Sequence, residues 1–198
     1  MNILAHAYLS NREEGLLIGN FIADFIKGDP ANPRHGLSAG VVHGIRLHRS
    51  IDAFTDTHPA VERVRRLLRP RCHKYAGVAV DVFFDHFLAK HFEALTGESL
   101  TAYVAWFYQT LLRVDDRLPA GASRMATYMI RQNWLSNYQH LSGIERSLKG
   151  LAGRTTFASG LDTAVEDLVR FYEPISAEFH LFWPDLTGHV QRSAAFSG

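Results

Sequence analysis

The sequence has a single cysteine, Cys72, among 198 residues. That excludes an intramolecular disulfide and a four-cysteine zinc module, and it suits a reducing compartment. Net charge of either sign is nearly absent: 21 Lys+Arg stand against 20 Asp+Glu, leaving +1. Proteins that coat nucleic acid carry a large positive excess that releases counterions on binding, so any basic recognition surface here has to be local. The apolar stretch Leu16 to Ile26 is cut by Asn20 and Asp24 and falls well short of the roughly 20 residues a membrane-spanning helix needs. Met1 is followed by no basic region leading into an apolar one, so no signal peptide is expected and the expected location is the cytoplasm. Internal repeats, low-complexity tracts and polar linkers are missing too, which points to one domain over 1–198.

What is there is a helical rhythm. Apolar residues make up much of the 46% hydrophobic content and recur at spacings of three and four, while alternation of β-branched with polar residues is nearly absent, so the expectation is an all-α, single-domain helical bundle. Asn11 is expected to cap a helix reaching about Lys27, and Ser38 one reaching about Thr55. Pro59 suits the first turn of a third helix that Pro70 should end. Further helices are expected over about Tyr75 to Leu95, Ser99 to Leu118, Arg124 to Tyr138, Gly143 to Leu151, Asp162 to Tyr172 and Ile175 to Gln191.

Three of these helices carry ionisable residues on faces that should be apolar, where an unpartnered charge is costly. In the second, Val41, Ile45, His48, Asp52 and Thr55 form one stripe, so His48 and Asp52 project inward a turn apart. In the fourth, Asp81 and Asp85 stand at i, i+4 among large apolar side chains, a like-charge pair that a bound cation would relieve. In the first, Asn20 and Asp24 share an apolar face. Taken singly, Asp24 or Asp52 would suit an arginine pair, Asp81 a helix cap, and His6 or His86 a hydrogen-bonded core histidine. Taken together the pattern favours metal: eight of the eleven histidines lie in residues 1–91, alongside these carboxylates. Imidazole plus carboxylate without cysteine fits Mn²⁺ or Mg²⁺ better than structural zinc, as in a metal-dependent hydrolase built inside a bundle.

Four motifs resemble the acyl carrier protein phosphodiesterases, an atypical HD-domain-like branch of metal-dependent phosphohydrolases. They are Asn2-Ile3-Leu4-Ala5-His6, the run Gly19 to Gly28, His48-Arg49-Ser50-Ile51-Asp52-Ala53-Phe54-Thr55-Asp56, and Asp81-Val82-Phe83-Phe84-Asp85-His86-Phe87-Leu88. Weaker likeness continues through Asn133-Trp134-Leu135, Leu148 to Arg154 and Phe179 to Pro184. The resemblance implies hydrolysis of the phosphodiester joining 4′-phosphopantetheine to a serine of holo-acyl carrier protein, with Mn²⁺ as the usual metal. An ordinary HD domain has an adjacent His-Asp pair, and this chain has only the reversed Asp85-His86, so its ligands are assigned from helix geometry and the motifs present. The set expected is Asp24, His48, Asp52 and Asp85, with Asp81 and His6 next.

For the chemistry, Asp81 is expected to orient or deprotonate the attacking water, and His86 or His6 to protonate the seryl oxygen. Arg49 and Arg154 are candidate phosphate clamps. The segment Val61 to Lys74 carries six Lys+Arg against one Glu, net +5, and its Arg63, Arg65, Arg66 and Arg69 are expected to dock an acidic carrier protein. Without interleaved aromatics it does not suit nucleic acid, and its apolar face is small for a membrane surface. Two rival readings are the same chemistry on a small nucleotide and a non-catalytic module that binds carrier protein.

Overall fold

The computed structural model describes residues 2–195, and among them it is helical with no strand. The helices are α1 (Ile3–Tyr8), α2 (Glu14–Ile22), α3 (Ala39–Thr57), α4 (Pro59–Cys72), α5 (Ala76–Lys90), α6 (Phe92–Thr96), α7 (Leu100–Arg113), α8 (Ala120–Arg131), α9 (Trp134–Asn137), α10 (Leu141–Ala152), α11 (Val165–Arg170) and α12 (Tyr172–Ala195). None of the described helices is long and apolar enough to cross a membrane.

The all-α expectation holds, and its boundaries shift for local reasons. Asn11 does not cap α2: Asn11 and Arg12 both adopt left-handed backbone, φ 50° and 57°, so the helix starts at Glu14. It ends in a 3-10 turn, Ala23–Phe25. The segment before it forms α1, a helix too short for periodicity to reveal. Pro70 does not end α4, because the bond its missing N–H removes lies in the last turn; the chain turns at His73, φ 47°. The expected Arg124 to Tyr138 helix breaks at Asn133, φ 48°, giving α8 and α9. Pro174 falls within the first turn of α12, where a missing N–H costs nothing.

Helix α5 is the axis of the molecule. Every residue from Val82 to Ala89 is buried, with Phe83, Phe84 and Phe87 wholly enclosed, each contributing about 1.5–3 kcal/mol by leaving water. The α4 and α12 helices pack on it, and so do α1 and α10.

What positions the site is the crossing of α2 with α3. A Cβ at Gly19 would lie 2.1 Å from the Val41 carbonyl oxygen, and one at Gly44 would lie 2.3 Å from the Leu16 carbonyl oxygen. Only glycine lets these two backbones touch. The contact sets the end of α2, with Asn20 and Asp24, directly against His48 and Asp52 on α3.

Candidate active site

His48 and Asp52, one turn apart on α3, meet His6 from α1. Asp52 receives both imidazoles: His6 Nε2 lies 3.1 Å from its Oδ1 and His48 Nε2 lies 3.0 Å from its Oδ2. The two rings stack, with centroids 4.2 Å apart and planes 21° from parallel. Asp24, on the 3-10 turn after α2, brings a third carboxylate contact, Oδ1 3.5 Å from His48 Nε2.

The proton inventory of this cluster follows from Asn20. Its amide Nδ2 donates to the His6 carbonyl at 2.9 Å and to Ser10 Oγ at 3.1 Å, and the Ser10 hydroxyl donates to the same carbonyl at 2.9 Å. That orientation turns Asn20 Oδ1 toward His48 Nδ1, 3.0 Å away, so Nδ1–H donates and Nε2 is the nitrogen left to face Asp52 and Asp24. A lone pair aimed at two carboxylates requires a positive charge between them. Desolvation opposes that charge on His48, but the hydrogen bonds and fields of Asp24 and Asp52 outweigh it and push its pKa up to about 9. Desolvation likewise opposes charge on Asp52, and hydrogen bonds from His48 and His6 override it, holding the carboxyl well below its usual range. Asp24 is lowered through its hydrogen bond with His48. His6 goes the other way: burial lowers its pKa and keeps it neutral. Its Nδ1 is buried without a hydrogen-bond partner, so one ring nitrogen is unmet whichever carries the proton.

These features fit a metal. His6, His48 and Asp52 each offer a donor atom, all within 4.8 Å of one another, close enough for the three to converge on one ion with small side-chain movements. The Asn20 contact is the kind of outer hydrogen bond that fixes the tautomer of a ligating histidine.

The cluster opens on a cavity of about 460 Å³, lined by His6, Asn20, Asp24 and His48 on one side. Phe21, Phe107, Met125, Tyr128 and Trp134 form apolar walls, and Arg146 and Arg154 complete the lining from α10 and the turn after it.

The structure therefore gathers Asp24, His48, Asp52 and His6 in one place. It does not bring Asp85 there. That carboxylate is fully buried and accepts the backbone N–H groups of Leu4 at 2.8 Å and Ala5 at 3.2 Å, capping the N-terminus of α1. Burial pushes its pKa up to about 7 against the pull of those amides. Asp81 lies a turn before it on α5, outside the cavity lining. His86 sits in the core with both nitrogens engaged: Nδ1–H donates to the Tyr138 carbonyl at 2.7 Å, and Nε2 accepts from the Tyr172 hydroxyl at 2.9 Å, so the expectation that it serves the leaving oxygen meets a side chain turned into the core. Arg49 donates to the Ile26 carbonyl at 3.1 Å, bracing the turn that carries Asp24. The α4 arginines line no part of the cavity. Sequence reasoning missed Arg146, whose visible signal was its spacing of four and eight residues from Gly150 and Arg154.

Residues 1–186 match the family model described as acyl carrier protein phosphodiesterase. The acyl carrier protein phosphodiesterase of Photorhabdus laumondii subsp. laumondii is 35% identical over 188 residues, covering 93% of this chain and 92% of its own. That of Klebsiella pneumoniae is 32% identical over 187 residues, covering 94% and 95%. That of Escherichia coli is 31% identical over 195 residues, covering 98% and 100%. No solved structure matches the chain.

Proposed function

The chain belongs to the acyl carrier protein phosphodiesterase family, and from that membership we propose that it hydrolyses the phosphodiester linking 4′-phosphopantetheine to a serine of holo-acyl carrier protein. The products are the apo-carrier and free 4′-phosphopantetheine. The observation that carries the proposal is the joining, in one cavity, of an imidazole–carboxylate cluster, apolar walls and two arginines.

A divalent ion, Mn²⁺ first and Mg²⁺ second, would be held by His6, His48 and Asp52 with Asp24 as a further donor. When bound, such an ion screens the phosphodiester charge and lowers the pKa of water. The chain's own groups do the rest. Arg154 and Arg146 offset the negative charge of the phosphate, which otherwise repels a nucleophile. Asp24, ionised at neutral pH and facing the cavity, accepts a hydrogen bond from a water and aims it. Phe21, Phe107, Met125 and Trp134 receive the pantetheine arm and exclude bulk water. His6 serves the ion rather than the leaving oxygen, and His86 supports the core. The setting is the cytoplasm, as the lone buried Cys72 suits.

Incubation with holo-acyl carrier protein and Mn²⁺, followed by intact mass of the carrier, tests this. The carrier is expected to lose the mass of its prosthetic group. An unchanged carrier alongside hydrolysis of a nucleotide from a parallel panel would overturn the proposal.

A further inference from the structure

The strongest charge run in the sequence is extensively paired with carboxylates in the fold. On α4, Arg63 donates to Glu178 on α12 at 2.6 and 2.7 Å, and Arg65 is held by Asp56. Arg66 and Arg69 share Glu62 at 3.1 Å each, and Arg71 takes Asp167 and Glu166 at 2.8 and 2.9 Å. Cations closed off by carboxylates at these distances project little field beyond a Debye length.

The cavity rim is the opposite case. On α8, Arg124, Tyr128 and Arg131 follow one another at i, i+4, i+7, so they form a single exposed stripe. Tyr128 is 58% exposed while also lining the cavity. Arg146 and Arg154, both exposed, line the same cavity. Among the described residues, none of these four arginines is paired with a carboxylate. An aromatic ring flanked by unneutralised arginines has the composition of a protein-docking hot spot.

We infer that the α8 stripe Arg124, Tyr128 and Arg131, continued by Arg146, is the docking surface for the acidic face of the carrier protein, and that α4 is not. The inference rests on the proposed function, because the occupant is the protein whose prosthetic arm enters the adjoining cavity. Charge complementarity identifies the partner face as acidic, and contiguity with the cavity mouth lets a docked carrier feed its arm inward without crossing the molecule.

The test measures binding of apo-acyl carrier protein, which carries no phosphodiester and so reports docking alone. Fluorescence anisotropy of labelled apo-carrier is compared for wild type, the double variant Arg124→Glu with Arg131→Glu, and Arg66→Glu with Arg69→Glu on α4. All four side chains are exposed, and circular dichroism checks that each variant is folded. At low ionic strength the α8 variant is expected to raise Kd by about tenfold or more and the α4 variant by less than about threefold, with the gap closing in high salt. Arg124→Gln with Arg131→Gln should fall between wild type and the reversal. Equal or larger loss in the α4 variant, or an unchanged Kd in the α8 variant, overturns the inference. Release of 4′-phosphopantetheine from holo-carrier by wild type is followed in parallel: its absence sinks the proposed function itself, whereas its presence with an unaffected α8 variant sinks only the docking surface.

Discussion

Replacing Gly44 by alanine should damage the site without touching any of its polar residues. The new Cβ would lie 2.3 Å from the Leu16 carbonyl oxygen, 2.8 Å from Gly19 Cα and 2.9 Å from the Asn20 nitrogen. Ordinary carbon–oxygen approach is about 3.3–3.6 Å, so α2 must retreat by roughly 1 Å. All three obstructing atoms are backbone, and no rotamer change relieves them. Asn20 rides on that backbone with its Oδ1 3.0 Å from His48 Nδ1, and a shift of roughly 1 Å stretches this contact beyond hydrogen-bond range. Overpacking of this kind costs about 1–3 kcal/mol, offset in part by the roughly 1 kcal/mol a helix gains when glycine becomes alanine. A net loss of up to about 2 kcal/mol corresponds to a fall in Tm of up to roughly 8 °C for a chain of this size. Thermal unfolding by circular dichroism reads the stability, and calorimetric Mn²⁺ titration reads the site, where affinity should drop. Gly150→Ala is the control, since nothing lies within 4 Å of its Cβ, and it should hold or raise Tm. A Gly44→Ala protein that melts at or above wild type and binds Mn²⁺ equally well would refute the role given to the α2–α3 contact.

Two further outcomes follow from the proton inventory. With His48 at about 9 in the metal-free protein, metal uptake near neutral pH must expel that proton, so affinity should rise steeply with pH below 9 and calorimetry in buffers of different ionisation heat should register proton release; pH-independent affinity from 6 to 8 would contradict the tautomer assignment. The same shift governs metal-free stability: because the folded value lies above the ordinary 6.5, the stabilisation is complete below about pH 6.5 and is lost as pH rises through 9. Asp85→Ala should lower Tm by stranding the Leu4 and Ala5 N–H groups, at about 1–3 kcal/mol for each buried donor left unmet, whereas Asp85→Asn keeps an acceptor and should retain both metal and turnover. Loss of metal in a well-folded Asp85→Asn protein would return Asp85 to the donor set.

The helix periodicity made the inward face of α3 legible, and with it His48 and Asp52, because i, i+4 spacing on an apolar stripe decides direction without knowledge of the partner. The same logic correctly turned Asp85 inward but was silent on what lay opposite. That was the N-terminus of α1, whose amides relieve the carboxylate without a cation. His86 was tied to Asp85 by adjacency, yet neighbours on a helix point about 100° apart, and it lies between Tyr138 and Tyr172. The basic run on α4 was legible as charge and illegible as surface, since Glu178 and Asp167, which help to neutralise it, come from 115 and 96 residues away. His6 ranked low because α1 is too short for any periodicity, and only the fold brings its ring onto His48.

The central claim is that the His6, His48 and Asp52 cluster is the reactive centre, and one paired titration tests it most directly. Chelator-stripped protein is titrated with Mn²⁺ while bound metal, by electron paramagnetic resonance, and release of 4′-phosphopantetheine from holo-carrier protein are read on the same samples. Binding and turnover should saturate along one curve in wild type and be lost together in His48→Gln, with the helical circular dichroism spectrum preserved. Wild-type turnover by the stripped protein, or a His48→Gln protein that keeps both metal and turnover, would contradict the account.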